Sequence, residues 1–155
     1  MTGNGFYKRR RGILEHLEAG ELSLLDLGIH DLICLKANAI VGNGSIFPPG
    51  IWYGSAAAIM AQCPCGEISE RTVRRSLHHL EEIRFLKRWQ TLGKRGNYPI
   101  LVNRFSVRDL SGNEYYINAE NTTDWRHPAM EPAAEAPRAV SEHVYELSGN
   151  KEIKK

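Results

Sequence analysis

Apolar positions recur along this chain with two different periods, and the change from one to the other organises it. Over the first half the spacing is helical. In "GFYKRRRGILEHLEAG", Phe6, Ile13, Leu14 and Leu17 are spaced for one helical face in the second half of the stretch, and Gly20 offers a C-terminal stop. In "ELSLLDLGIHDLICLKANAIVG", Leu25, Ile29, Leu32, Ile33, Leu35 and Ala39 recur at helical spacing and predict the most buried helix of the protein. Ser23 stands before it as N-cap with Asp26 three residues on, a variant capping box, and Gly42 ends the run. Gly28 weakens that helix by about 1 kcal/mol relative to alanine without breaking it.

"GNGSIFPPG" is a loop by its Gly, Asn and Pro content, and Ile51 to Tyr53 then suit a short strand. Ser55 caps "AAAIMAQC", a short helix, and "CPCGEI" is a tight connection because Pro64 cannot continue it. Ser69 is the next N-cap, followed by Val73, Leu77, Leu80 and Ile83 or Arg84 on an amphipathic helical period. Beyond it the residue types change. "FLKRWQ" and "YPILVNRFSV" are β-branched and aromatic, with the turn-formers "TLGKRGN" between them, and predict a hairpin with a basic tip. A second hairpin is expected from "FSVRDL" and "EYYINAE" around "SGN". From about Asn121 the chain becomes Pro, Ala and Glu rich with few large apolar residues. The expected organisation is therefore a domain over residues 1–120 and a mobile tail over 121–155, with one short helix in the tail near Val140 to Leu147. There are no internal repeats.

Composition narrows the class. At 155 residues, 42% hydrophobic and 25% charged, the chain suits one core of ordinary size. No apolar run approaches the roughly 18 residues of a membrane span, so no membrane partner is expected. The basic cluster near the start has no uninterrupted apolar region after it, which argues against a secretory signal and for a cytoplasmic location. Three cysteines, Cys34, Cys63 and Cys65, are too few and unevenly matched for a disulfide framework.

Charge changes the picture more. The formal net of +2 hides a segregation: residues 1–68 carry five Lys or Arg against six Asp or Glu, residues 69–108 ten against three, and residues 109–155 five against nine. A cationic block between neutral and acidic flanks is the footprint of a surface for a polyanion, with a solvated basic helix as the plainer alternative.

Two short helices joined by a tight turn and followed at once by a hairpin have the layout of a winged helix-turn-helix. The supporting helix spans Ser55 to Cys63, the recognition helix Ser69 to about Ile83 and the wing Phe85 to about Val107. The fold class expected is thus α+β, with three to four helices followed by a β-hairpin wing. "GEISERTVRRSLHHLEEIRFLKRWQTLGKRGNYPILVNRF" resembles the helix-turn-helix domains of phage-type replication-initiation and replisome-organiser proteins, through Ser69, Thr72, Val73, Arg75, Leu77 and Leu80. "GIHDLICLKANAIVGNGSIFPPGIWYGS" resembles the part that precedes it, and together they cover roughly residues 6 to 107. The resemblance implies DNA binding more strongly than replication, because the winged fold also serves transcription factors.

The residues make the same case by geometry. With Val73, Leu77 and Leu80 inward, Arg71, Arg75, His78 and Glu82 point directly outward and Arg74 lies on the flank. The arginines fall in the first two turns, the part of such a helix that reaches base edges. Lys94 and Arg95, at the wing tip, suit phosphates or the minor groove. The candidate DNA-binding residues are Arg71, Thr72, Arg74, Arg75 and His78 on the helix, and Lys94, Arg95 and Asn97 on the wing. Lys87, Arg88 and Arg104 are weaker candidates, since basic residues on an exposed strand also discourage edge pairing.

Other chemistry is thinner. "CPC" with His78 and His79 invites a zinc reading, but a structural site needs four ligands, typically in two pairs, so no metal is expected. Trp52 and Trp89 suit stacking on unpaired bases but more often such rings pack, and Trp125 suits a cap on the domain surface. No nucleophile motif appears, and neither "GNG" has the setting of a phosphate loop, so neither an enzyme nor a cofactor is expected. The leading expectation is a duplex-DNA-binding protein of transcriptional control or replication initiation. The alternatives are an assembly adaptor, and RNA or single-strand binding by the hairpin and its aromatics. A homodimer through the N-terminal helices and a protein partner for the tail complete the partner expectations.

Overall fold

The computed structural model describes residues 12–37, 46–63, 67–91 and 93–133. These form an α+β structure of four helices and two small antiparallel sheets. The helices are α1 (Ile13–Glu18), α2 (Leu24–Lys36), α3 (Ala56–Gln62) and α4 (Glu70–Glu82). Strands β1 (Ile51–Gly54), β2 (Leu86–Arg88) and β3 (Tyr98–Val102) make one sheet in the order β1-β3-β2. Strands β4 (Ser106–Arg108), β5 (Glu114–Asn118) and β6 (Ala129–Pro132) make the other in chain order. The run α2, β1, α3, α4, β2, β3, with β1 added to the edge of the β2–β3 hairpin, is compatible with a winged helix.

Each long helix starts where its cap stands. Ser23 Oγ accepts the Asp26 N–H at 3.1 Å while Asp26 Oδ2 accepts the Ser23 N–H at 3.0 Å, completing the capping box of α2. Ser55 Oγ accepts the Ala58 N–H at 3.1 Å, and Ser69 Oγ accepts the Thr72 N–H at 3.2 Å. Helix α4 then buries Val73, Leu77 and Leu80 completely or nearly so. Burial of a side chain of this size stabilises by about 1.5–3 kcal/mol, so this stripe anchors the helix. It packs on Ile29 and Ile33 of α2, Ile59 of α3, Phe85 and the β3 residues Ile100, Leu101 and Val102, all in one core.

Helix α2 differs in detail from its expected face. Ile29, Ile33 and Cys34 are buried and Leu25 and Leu32 half-buried, but Leu35 is exposed and Ala39 lies outside the described residues. In α1, likewise, Ile13 goes inward and Leu14 outward.

Two features of the second sheet depart from expectation. The run "YPILVNRFSV" is not one strand: the chain turns at Asn103 and Arg104, the latter at φ 55°, and Ser106–Arg108 pairs with β5 as the second hairpin expected around "SGN". Asn103 holds the turn, because its Oδ1 accepts the N–H groups of Arg104 (3.1 Å) and Ala119 (2.9 Å). The second departure lies past residue 120. The segment expected as tail divides, because Thr122 is buried and Ala129–Pro132 pairs with β5 through Tyr115↔Pro132 and Asn118↔Ala129. The boundary expected at residue 120 thus falls inside the second sheet. Residues 134–155, including the helix expected near Val140 to Leu147, lie outside the described residues.

Candidate nucleic-acid interface

Helix α4 has opposite faces of different chemistry. The buried side carries Val73, Ser76, Leu77 and Leu80, and the outer side exposes Arg71, Arg74, Arg75, His78 and Glu82. The inner side is fixed by more than apolar contact. Ser76 Oγ–H donates to Asp26 Oδ1, and His79 Nε2–H donates to the carbonyl oxygen of Glu21 at 2.7 Å. These bonds to α2 and its approach set the rotation of α4 about its own axis, and with it the direction in which the arginines point.

Fold contacts sort the candidate residues. Arg71 and Arg75 are exposed and make no ion pair among the described residues. Arg74 meets Glu70 one turn earlier, Nη2 to Oε1 at 2.5 Å, on a solvent-exposed flank. His78 Nε2 lies 3.3 Å from Glu82 Oε1. The Thr72 hydroxyl is 2.9 Å from the capping hydroxyl of Ser69, so it serves the helix start. The outer face is therefore basic at its N-terminal end and acidic at its C-terminal end, where Glu81, Glu82, His78, Arg88 and Gln90 line a groove of about 380 Å³ beside β2.

The hairpin tip rises beyond that groove. Lys94 and Arg95 are exposed there, and Gly93 and Gly96 take φ values of 76° and 115° that favour glycine. Asn97 turns inward to the scaffold: Ser55 Oγ–H donates to its Oδ1 at 2.9 Å. The same hydroxyl caps α3, so the foot of the β2–β3 hairpin is tied to that helix.

The remaining basic residues of the central block are largely committed. Arg88 Nε sits 2.5 Å from Glu81 Oε2, and its Nη1 is 3.4 Å from the Tyr98 hydroxyl. Burial strips water from this guanidinium and alone would lower its pKa, but the hydrogen bonds and charges of Glu81 and Tyr98 outweigh that and hold it above the ordinary arginine value. Lys87 Nζ donates to the carbonyl oxygens of Thr122 (2.7 Å) and Ala119 (3.3 Å), linking the two sheets. Arg84 pairs with Glu120 at 3.0 Å. Arg71, Arg75, Lys94, Arg95, Arg104 and Arg108 are left without an ion pair among the described residues.

Cysteine and histidine do not converge. Cys34 is buried with its sulfur 3.7 Å from His30 Nδ1, Cys63 is exposed at the end of α3, and Cys65 lies outside the described residues. Among the described residues no three His, Cys, Asp or Glu side chains are placed to hold a metal ion.

Sequence reasoning missed one group beside the wing. Tyr53, Trp125 and Arg126 come alongside Trp89, Lys94 and Arg95 around a cleft of about 450 Å³. No local period marks this group, because it is assembled by the second sheet folding back on the first. No protein-family model, curated protein or solved structure matches this chain.

Proposed function

We propose that this chain is a winged helix-turn-helix protein that binds duplex DNA, with α4 in the major groove and the β2–β3 tip on the adjacent backbone. One observation carries the reading. Arg71 and Arg75 stand exposed, without an ion pair among the described residues, in the first two turns of a helix whose opposite face is locked into the core. A bidentate arginine–guanine pair discriminates by about 1–3 kcal/mol, and a rigidly rotated helix keeps that geometry from one encounter to the next. The acidic C-terminal half of α4 supports the same docking, because it favours approach by the N-terminal turns. Lys94 and Arg95 then supply contacts that position without reading sequence. In this reading His78, Thr72 and Asn97 hold the reading surface in shape more than they touch bases. Transcriptional control and replication initiation both use such a domain, and the role is proposed at that level.

The test is selection of bound fragments from a random duplex library, followed by salt titration on the selected site. An enriched motif with affinity falling steeply as salt rises is expected, since each phosphate contact releases counterions. No retention of any duplex at low salt would overturn the reading.

A specific feature favours assembly as a second activity of the same domain. Leu24 and Leu35 are 79% and 60% exposed on α2, on the side away from its buried residues. A palindromic selected site would show that two copies bind together, and loss of that pairing in Leu24→Ser with Leu35→Ser would put the contact on α2. Among the described residues no helix is long and apolar enough to cross a membrane.

A further inference from the structure

The cleft beside the β2–β3 tip combines aromatic surface with positive charge. Tyr53 at the end of β1, Trp89 after β2 and Trp125 from the β5–β6 connection supply aromatic surface. Lys94, Arg95 and Arg126 supply positive charge, Arg126 while also meeting Asp124 at 3.4 Å on an exposed flank, and none of the described residues lining the cleft is acidic. Its volume, about 450 Å³, lies within the range of small-molecule sites.

The rings are braced by neighbours. Phe47 stacks on Tyr53 with centroids 5.3 Å apart and planes within 11°, and Lys87 Nζ is 5.4 Å from the centre of Trp89. Neither Phe47 nor Lys87 lines the cleft, so these two rings are supported from outside it. Trp125 has Phe47 tilted beside it, centroids 6.4 Å apart, and the guanidinium of Arg126 4.5 Å from its ring centre. Asn97 and Ser55 fasten the cleft's wing side to α3. Aromatic side chains fixed in this way offer a stacking platform at low entropic cost, and the cations at the rim suit an anion attached to the stacked ring.

We propose that this cleft is a nucleotide site, in which a base stacks among Trp89, Trp125 and Tyr53 while its phosphate meets Lys94, Arg95 and Arg126. Two sources supply that chemistry: a free mononucleotide, and an unpaired nucleotide of a strand passing the wing. The site shares Lys94 and Arg95 with the proposed wing contact but uses no residue of α4, and Trp125 and Arg126, in the β5–β6 connection, take no part in that helix's outer face.

The test follows tryptophan fluorescence of the full chain during titration with adenosine 5′-monophosphate, a short oligodeoxyadenylate and phenyl phosphate, with Trp125→Leu and Arg126→Ala compared at matched unfolding midpoints. Quenching by one or both nucleotide probes is expected. Each variant should weaken it roughly tenfold, the share of one stacked base or one phosphate contact. A response to the monophosphate assigns a free nucleotide; a response to the strand alone assigns an unpaired base. Arg126 is exposed, so Arg126→Ala keeps the test decisive if Trp125→Leu fails to fold. Absence of quenching by both nucleotide probes, variants that fold and bind as the parent does, or phenyl phosphate binding as tightly as the monophosphate would each overturn the assignment. Duplex retention that persists through such a failure would leave the function of α4 standing.

Discussion

The side-chain amide of Asn103 donates to the carbonyl oxygen of Arg84 at 2.8 Å, joining the turn after α4 to the turn after β3. Both arginines beside these bonds are in the left-handed region, Arg84 at φ 63° and Arg104 at φ 55°. Such a backbone costs a non-glycine residue about 1–2 kcal/mol. Asn103 offsets that cost with three hydrogen bonds from one buried side chain, the third reaching Ala119. Asn103→Ala should therefore lose about 2–4 kcal/mol, since it strands buried backbone groups as well as releasing the turns. Urea unfolding checks this, and a loss under about 1 kcal/mol would mean that water replaces the amide.

A second buried polar contact sets the orientation of α4. Asp26 is 7% exposed and takes bonds from Ser23 and Asp26's own partner on α4, Ser76. Ser76→Ala removes one donor from a carboxylate that stays buried, at an expected cost of about 1–3 kcal/mol. Because the same bond fixes the rotation of α4, the proposed DNA binding predicts that the variant also loses discrimination among sites at temperatures where it remains folded. Full retention of both stability and discrimination would show that the apolar stripe alone sets the rotation.

Much of this architecture was legible because it is local. Ser23, Ser55 and Ser69 cap within three residues, and Val73, Leu77 and Leu80 repeat at the period of the helix they anchor. The break at Asn103 and Arg104 was not legible, since neither residue is Gly or Pro and the turn is held by tertiary bonds to residues 84 and 119. Strand β6 escaped for a related reason. "AMEP" shows no alternation and ends in proline, which an edge strand tolerates when its partner lies on one side only. Of the candidate interface, Arg71 and Arg75 followed from period alone. The commitment of Arg84, Arg88 and Lys87 did not, because their partners Glu120, Glu81 and the Ala119 and Thr122 carbonyls are set by how the two sheets meet.

Gly50 tests that meeting. It sits at φ 76°, its carbonyl accepts the Val102 N–H at 2.9 Å, and a Cβ there would lie 3.0 Å from Ile117 Cγ1 on β5. Gly50→Ala combines left-handed strain with overpacking and should cost about 2–4 kcal/mol. Thermal unfolding measures it; a shift smaller than that of an exposed alanine substitution elsewhere would show that Ile117 moves freely.

The β4–β5 turn should be resistant to acid. Slight loss of hydration pulls the Asp109 pKa upward, but N–H groups of Asn113, Ser111 and Gly112 and the Asn113 amide outweigh it, so the carboxyl lies below its ordinary value. A lowered folded pKa means a contribution present above the unfolded carboxylate value of about 3.9 and lost as pH falls through the lower folded one. The turn should hence stay intact on acidification until pH passes below the usual carboxylate range. Titration of the Asp109 carboxyl by NMR reads this directly, and a midpoint at or above about 3.9 would contradict it.

Glu70 provides the sharpest test of the proposed interface, because it opposes binding in two ways. Its carboxylate stands at the start of the helix that would enter the groove, where it repels phosphate, and it occupies Arg74 through the 2.5 Å pair. Both partners are exposed, so the pair itself contributes little to stability. Its interaction with the helix N-terminus is worth about 0.3–1 kcal/mol, which sets the modest stability cost of Glu70→Gln. On DNA the same change should raise affinity several-fold at low ionic strength and steepen the salt dependence by about one phosphate, as Arg74 becomes available. Arg88→Ala, by contrast, removes a cation already committed to Glu81 and Tyr98 and should leave the salt slope unchanged. If Glu70→Gln weakened binding, or if Arg88→Ala lowered the slope as Arg71→Ala does, the DNA would have to lie on a different face of α4.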